Sequence, residues 1–488
     1  MHKKLFYKIL IVCMPLIAGC NIPGKNKKPN ILFILVDDLG WSDLGYTGST
    51  FYETPHVDEL ASQGMVFTDA YAASPVCSPS RAAIMSGKYP ARLNLTDWIP
   101  GNRHYGPHED QKLASKPFQL HLDLHETTIA ESFKAAGYST FFAGKWHLGE
   151  KEKYFPARQG FDVNKGGNST GHPAGGYFAP YQNPQLRDGP KGEYLTDRLA
   201  DETIEFIGQN SKKPFFAFLS FYTVHLPMQG KPEKVEKYRK KLSKMDYKGK
   251  EFVKKGGTYY KQWQNMPHYA AMVESMDENV GRVLETLKNK GIAQNTIVVF
   301  TSDNGGMATS KQTGNIPTSN LQLRAGKGYL YEGGIRVPLI IRWPGETEAG
   351  STSDFPVTGT DFYPTLLDLA GIDLKPGQHQ DGISLEPLLE GKNMNERPIY
   401  WHYPHYSGGL GGTPSAAVRL ENYKLIEFYE DDHVELYNLE NDLDENNDIS
   451  EEEPEITSKL QKMLKEWRAE VNAQMPCPNP VYDDQSKI

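Results

Sequence analysis

Five short apolar runs stand out between Asn30 and Gly345: NILFILVDD, STFFAGKWH, PFFAFLSFYTVH, TIVVFTSDNGG and VPLIIRWPG. Each ends in a polar or glycine-rich turn. They are apolar on both faces, as buried strands of a mostly parallel sheet covered by helices are. Helix-period segments lie between them. HYAAMVESMDENVGRVLETLKNKG sets Val273, Met276, Val280, Val283, Leu284 and Leu287 on one face and meets Gly291 as a stop signal. TTIAESFKAAG and PTLLDLAG also end in glycine. From about Arg397 the pattern changes. AAVRLENYKLIEFY, with a turn at Glu421-Asn422, and HVELYNLEND read as antiparallel strands. A last helix carries Ile456, Leu460, Met463, Leu464, Trp467 and Val471 on one stripe. The expected organisation is a large α/β domain over 29–390, a small α+β unit over 391–475 and a tail over 476–488.

The N-terminus reads as a targeting segment. MHKKLFYKILIVCMPLIAGC has a basic start (Lys3, Lys4, Lys8), an apolar run too short to span a bilayer, and small residues before a cysteine. Ile17-Ala18-Gly19-Cys20 resembles the bacterial lipoprotein box. That predicts a signal peptide over 1–19, lipid on Cys20, a tether over 20–28, and an exported, membrane-anchored protein in the periplasm or on the outer-membrane surface. The chain of 488 residues has net charge −8, more negative once the leader lysines are gone, which argues against a nucleic-acid partner. An anionic substrate therefore needs a local basic pocket. Of four cysteines the mature chain keeps Cys77 and Cys477. Cys477 sits in a Pro-rich tail, MPCPNP, which argues against a disulfide between them.

Chemistry-bearing residues collect where the apolar runs end, the place where open α/β sheets bind ligands. ILVDDLG ends in Asp37 and Asp38, and VVFTSDNGG in Asp303 and Asn304. Three carboxylates and an amide make a hard, all-oxygen donor set suited to Ca²⁺ or Mg²⁺. AGKWHLGE carries Lys145 and His147 two apart, on the same side if the strand continues. FYTVHLPM ends a strand in His225, and LRAGKGYLYEGGIRVP sets Lys327 in a glycine-rich loop. SPVCSPSRAAIMSG places Cys77 in a short polar stretch before a helix opened by Ser80-Arg81 and stopped at Gly87. Helix amides and Arg81 direct positive charge toward Cys77 and would lower its pKa, which suggests a thiolate nucleophile. A thiolate suits a hard metal site poorly; an oxygen nucleophile fits better.

Cys77-Ser78-Pro79-Ser80-Arg81 matches the C-x-P-S-R signature of the formylglycine-dependent sulfatases, and AAIMSGKYP continues in that style. The resemblance runs from KPNILFILVDDLGWSDLG through TPHVDELASQGMVFTDAYAASPVCSPSR and GKWHLG to TSDNGG and KGYLYEGGIRVP. It weakens into VELYNLEND. It implies an alkaline-phosphatase-like α/β fold: a mostly parallel sheet sandwiched by helices, with a smaller C-terminal α+β domain. It also implies that a formylglycine-generating or sulfatase-maturating enzyme converts Cys77 to 3-oxoalanine (formylglycine), whose hydrated aldehyde is a geminal diol. In the family, one hydroxyl attacks sulfur and the other is deprotonated to expel sulfate. Carried over by position, Asp37, Asp38, Asp303 and Asn304 bind one Ca²⁺ with modified Cys77 beside it, and Arg81 orients the diol. Lys145, His147, His225 and Lys327 hold the sulfate oxygens as charge develops. His147 takes the hemiacetal proton, and His225 with Lys327 protonates the leaving alkoxide, help typically worth about 10²–10⁴-fold.

Lipid-anchored bacterial sulfatases of this type resemble enzymes that desulfate polysaccharides for nutrition. The expected substrate is a sulfated poly- or oligosaccharide: an algal galactan, ulvan or fucan, or a glycosaminoglycan, with ulvan favoured. TDWIPGNRHYGPHED (Thr96 to Asp110), NSTGHPAGGYFAPY (Asn168 to Tyr181) and WHYPHYSGG (Trp401 to Gly409) are candidate sugar subsites. Two other readings stand beside this one. A phosphoester or phosphonate hydrolase of the wider superfamily would want a further metal and a Ser or Thr nucleophile, against which Cys77 argues. A non-catalytic glycan-binding surface lipoprotein would have no use for the complete acid, base and metal set.

Overall fold

The computed structural model describes residues 28–99 and 108–483. The expected signal peptide over 1–19, the expected lipid site Cys20 and the part of the expected tether before Lys28 lie outside the described residues, as do 100–107 of the first candidate sugar loop and 484–488 of the expected tail.

The central sheet has eight strands: β1 (Asn30–Val36), β2 (Met65–Phe67), β3 (Ser139–Gly144), β4 (Val163–Lys165), β5 (Phe215–Ser220), β6 (Thr296–Ser302), β7 (Leu339–Arg342) and β8 (Ser351–Ser353). Their spatial order is β8-β2-β7-β6-β1-β5-β3-β4. β6, β1, β5, β3 and β4 are mutually parallel. β7, the run VPLIIRWPG, is antiparallel to both of its neighbours, so its carboxyl end faces away from those of the other strands.

All seven residues of β1 are buried because helices cover both faces. Leu32, Ile34 and Val36 face a core shared with α1 (Pro55–Gln63), α4 (Leu195–Asn210) and α5 (Pro267–Asn289). Ile31, Phe33 and Leu35 face the opposite core, with α2 (Cys77–Ser86), α3 (Ile129–Ala135) and α6 (Phe362–Leu369). The apolar stripe read for α5 is buried at Val273, Met276, Val280, Val283 and Leu287, with Leu284 half-buried. α3 starts on a capping box between Thr128 and Glu131, which satisfies two otherwise unpaired N–H groups.

The C-terminal region forms an antiparallel sheet of β9 (Ile399–Tyr403), β10 (Ser415–Leu420), β11 (Tyr423–Phe428) and β12 (Val434–Asn438). One face packs on Leu460, Leu464, Trp467 and Val471 of the α7 (Pro454–Glu470) stripe. The other packs on Leu330, Tyr331 and Ile335, just after Lys327. Lys424 Nζ, fully buried, bonds Glu332 and Glu445 at 2.9 Å each and pins this sheet to the Lys327 segment. No helix of the described residues is long and apolar enough to cross a membrane.

Candidate active site

β1 and β6 run in register with Val36 opposite Ser302, so Asp37-Asp38 and Asp303-Asn304 leave the sheet at one level. Three bonds lock the two turns together: Asp303 N–H to Val36 O (3.2 Å), Asp38 N–H to Asp303 Oδ1 (3.1 Å), and Asn304 Nδ2 to Asp38 Oδ1 (2.8 Å). Asp38 has φ 60°, a left-handed conformation that Asp tolerates through local hydrogen bonding.

α2 begins at Cys77 itself, three residues before the expected Ser80, and ends at Gly87. All ten of its residues are buried. The stretch reads as polar because its polar atoms are used internally: Ser78 Oγ accepts from Ile99 N–H at 3.0 Å and Ser86 Oγ donates to Ala82 O at 2.7 Å. Cys77 Sγ lies 3.7 Å from Asp37 Oδ1 and 3.9 Å from Asp38 Oδ1, and receives Lys327 Nζ at 3.3 Å. Burial pushes the thiol up to about 12 despite Lys145 and Lys327. The expectation of a depressed thiol pKa is therefore corrected: desolvation outweighs the helix terminus and the cations, and the side chain stays protonated.

The cations interlock with the carboxylates. Arg81 gives Nε to Asp303 Oδ2 (2.8 Å) and Nη1 to Lys145 O (2.7 Å) and Ser220 Oγ (2.8 Å). Its Nη2, 3.6 Å from Asp37, is buried without a hydrogen-bond partner. Lys145 Nζ bonds both oxygens of Asp37 at 2.7 Å, and Lys327 Nζ both oxygens of Asp38 at 2.6 and 2.8 Å. Lys145 and His147 do not share a strand face, because β3 stops at Gly144. Lys145 N–H is taken by Ser220 O, and His147, at φ 61°, gives its N–H to Asn168 O.

The two histidines are held neutral by burial. His225 Nδ1 bonds Leu226 O at 3.0 Å, leaving Nε2 3.6 Å from Asp38 Oδ2; desolvation lowers its pKa to about 3. His147 Nε2 bonds Ile99 O, which assigns the proton to Nε2 and leaves the buried Nδ1 an unpartnered acceptor. Burial, with Lys145 next, holds this imidazole well below its ordinary value.

The donor chemistry fits a hard divalent cation. Ligand atoms of Asp38, Cys77 and His225, and of Asp37, Cys77 and Asp303, converge within 4.8 Å in each group. Asn304 Oδ1 is buried with no hydrogen-bond partner. Burial lifts Asp37 to about 8, and Asp303 and Asp38 add to the rise, a cost that a nearby cation would remove. Lys327 overcomes burial and holds Asp38 well below the carboxylate range, and Arg81, with Lys145, lowers Asp303 from its ordinary value despite burial.

Above this floor opens a cavity of about 690 Å³. Lys327, His147 and His225 line it, with walls from Trp98-Ile99, Glu150, Ser169 to His172, Met307, Tyr403 and Tyr406 to Leu410. Parts of all three candidate sugar segments therefore reach it. Within WHYPHYSGG, however, Trp401 to Tyr403 belong to β9. His402 and His405 are buried on Tyr429 and Thr96, not on the cavity. Ser220, Glu150 and Met307 were not singled out from the sequence. Ser220 had a signal, since it ends the strand FFAFLS as Val36 ends β1.

A buried acid–cation lattice at parallel strand ends, under a cavity edged by neutral histidines, defines an ester hydrolase of alkaline-phosphatase-like fold. Residues 29–372 match the family model Sulfatase, and residues 325–471 match N-sulphoglucosamine sulphohydrolase, C-terminal. The chain belongs to the sulfatase family and is a sulfuric ester hydrolase. It is 32% identical to a sulfatase of Formosa agariphila over 97% of this chain and 95% of that protein. It is also 32% identical to human N-acetylgalactosamine-6-sulfatase, over 79% of this chain and 70% of that one. Among solved structures it is similar to Ps i-CgsB in complex with k-i-k-neocarrahexaose, at 30% identity and TM-score 0.73, over 90% of this chain and 93% of that chain.

Proposed function

We propose that this sulfatase removes sulfate esters from a sulfated poly- or oligosaccharide, using formylglycine made from Cys77 by a maturating enzyme, and one Ca²⁺. The observation that carries the proposal is the convergence on Cys77 of Asp37, Asp38 and Lys327 beneath an aromatic-walled cavity. When Cys77 is matured, its hydrated aldehyde supplies the oxygen nucleophile that a buried thiol does not. A Ca²⁺ held by Asp37, Asp38, Asp303 and Asn304 Oδ1, beside residue 77, would supply Lewis-acid polarisation of sulfate oxygens. Three cations, Arg81, Lys145 and Lys327, already balance the three carboxylates, so a divalent ion leaves a surplus of positive charge for the sulfate group.

The remaining work falls to the chain. Lys145 and Lys327 hold the floor carboxylates and face the sulfate oxygens, and the unpartnered Nη2 of Arg81 is available to orient the group at position 77. His147 Nδ1, a lone-pair acceptor in a dry site, takes the proton that product release requires. His225 Nδ1–H is held at the cavity wall by Leu226 O, so Nε2 is a lone-pair acceptor. The proton for the departing sugar oxygen comes from the Lys327 ammonium, with His225 Nε2 relaying it once it has taken it up.

The neocarrahexaose bound to the Ps i-CgsB relative supports an algal galactan as well as the ulvan favoured from the sequence. The basic, apolar and small-residue order of residues 1–20 supports export and lipid attachment at Cys20, on the periplasmic or outer-membrane face. The test is to co-produce the chain with a maturating enzyme and measure sulfate release from carrageenan, ulvan, fucan and glycosaminoglycan oligosaccharides beside matched phosphate esters. Mass spectrometry of the Cys77 peptide should find the aldehyde, and Cys77→Ala should abolish release. An unmodified thiol with full activity, or preference for the phosphate esters, overturns the reading.

A further inference from the structure

Six lysines and only two acids lie between Lys244 and Lys261, in a chain whose net charge is −8. Much of this stretch is a hairpin, Phe252–Lys255 and Thr258–Lys261, closed by Gly256-Gly257 with φ 51° and 82°. Positive φ at both central residues is the two-residue turn that matches strand twist. Thr309–Ser310 adds a third strand, with Thr309 opposite Tyr260 and Ser310 opposite Tyr259, and runs on into Lys311.

The charge on this sheet is largely unspent. Lys248 and Lys261 are paired with Asp246 and Glu251. Lys244, Lys250, Lys254, Lys255 and Lys311 are exposed, with no carboxylate within 4.0 Å among the described residues. Lys254 and Lys255 lie over the half-buried rings of Tyr259 and Tyr260, at 5.2 and 5.9 Å from their centroids. Apolar ring faces beside unpaired ammonium groups match a sugar chain carrying sulfates.

The sheet also borders the catalytic cavity. Met307 and Gly409 line that cavity; the third strand begins two residues after Met307, and Lys311 N–H bonds Gly409 O at 2.8 Å. On the same side Tyr329 OH bonds Thr258 Oγ1 at 3.4 Å, two residues from Lys327.

We propose that this three-stranded sheet is a second binding surface, on which Lys254, Lys255 and Lys311 hold the sulfated polysaccharide where it leaves the catalytic cavity. It rests on the carbohydrate reading above and adds to it that the enzyme engages long chains rather than isolated sugars. A polyanion bound through exposed lysines binds less tightly as salt rises, and loses that dependence as lysines are removed.

The test uses the full chain and the triple variant Lys254→Ala/Lys255→Ala/Lys311→Ala. Gel retardation by ulvan and by carrageenan is measured at roughly 50 and 200 mM NaCl, alongside thermal unfolding and hydrolysis of 4-methylumbelliferyl sulfate. The triple variant should bind one or both polysaccharides roughly tenfold more weakly at the lower salt, with a shallower salt response. Its thermal unfolding and small-ester hydrolysis should equal the wild type's. Unchanged retardation overturns the proposal. So does tighter binding of the wild type to phosphatidylglycerol vesicles than to either polysaccharide, which would make the surface a membrane contact. Retardation that depends on these lysines, with no sulfate released from any glycan, would keep the surface and defeat the carbohydrate reading.

Discussion

Lys327 Nζ donates to Cys77 Sγ at 3.3 Å while bonding both carboxylate oxygens of Asp38. One ammonium thus touches both the Cys77 side chain and the carboxylate floor beneath it. Lys327→Met should lower kcat by about 10²–10³-fold, the scale of losing one charge-stabilising donor, with a smaller change in KM. Lys327→Arg should not restore it, because a planar guanidinium cannot stand in for a compact ammonium among three partners. Steady-state kinetics with thermal unfolding checks this. A variant that loses stability but keeps kcat would reduce Lys327 to a structural role.

The oxygen cage should respond to chelation. Removal of divalent ions should lower both the melting temperature and activity, and Ca²⁺ should restore both better than Zn²⁺, as an all-oxygen donor set dictates. At a hundredfold excess over Kd the stabilisation should reach about 3 kcal/mol. Asp303→Ala should remove the Ca²⁺-dependent shift in melting temperature. Calorimetry with and without Ca²⁺ measures it, and a protein indifferent to both chelator and Ca²⁺ would refute the cage.

Gly171 lies against the His147 imidazole: a Cβ there would stand 2.5 Å from Cε1 and 2.8 Å from Nε2. The ring cannot withdraw freely, since Nε2 is held by Ile99 O and the backbone at φ 61° by Asn168 O. Gly171→Ala should displace the ring and cut kcat at least ~10-fold, in line with losing an aligned proton acceptor. The melting temperature should fall as well, because the ring that must move is buried, so kcat is compared at a temperature where both proteins stay folded. Unchanged kcat would mean that His147 is not the acceptor.

Much of this centre was legible because strand ends carry signals that need no tertiary knowledge. Asp37-Asp38 and Asp303-Asn304 follow apolar runs that adjoin in the sheet, and Val36 opposite Ser302 brings them together. The stripes of α5 and α7 were readable for the same local reason. Features set by distant partners were not. The reversal of β7 depends on β2 and β6, between which it lies. The burial of α2 depends on β1, α3 and α6, so Ser78, Ser80 and Arg81 resemble a surface loop while lying in a core. The parting of Lys145 from His147 comes from the end of β3 at Gly144. His402 shows the same limit, reading as a sugar contact in WHYPHYSGG although its ring is turned into the C-terminal sheet and helix.

That burial of His402 sets a pH dependence remote from catalysis. Nε2–H donates to Gln474 O at 3.0 Å, so Nδ1 accepts from Tyr429 OH at 2.7 Å, and Tyr429 OH in turn accepts from Arg468 Nη1 at 3.1 Å. Arg468, also paired with Glu427, leaves no acceptor aimed at a second imidazole proton. Burial, with Arg468 adding repulsion, lowers the His402 pKa to about 4 from 6.5. Between those values the unfolded chain binds a proton that the folded chain does not, so stability rises with pH across the window. The contribution, about 3 kcal/mol, is complete above pH 6.5 and lost as pH falls toward 4. His402→Gln keeps a donor for Gln474 O but cannot titrate. Urea unfolding of both proteins from pH 4 to 7 should therefore give a steeper stability–pH curve for the wild type, and parallel curves would show that His402 ionises as readily in the fold as outside it.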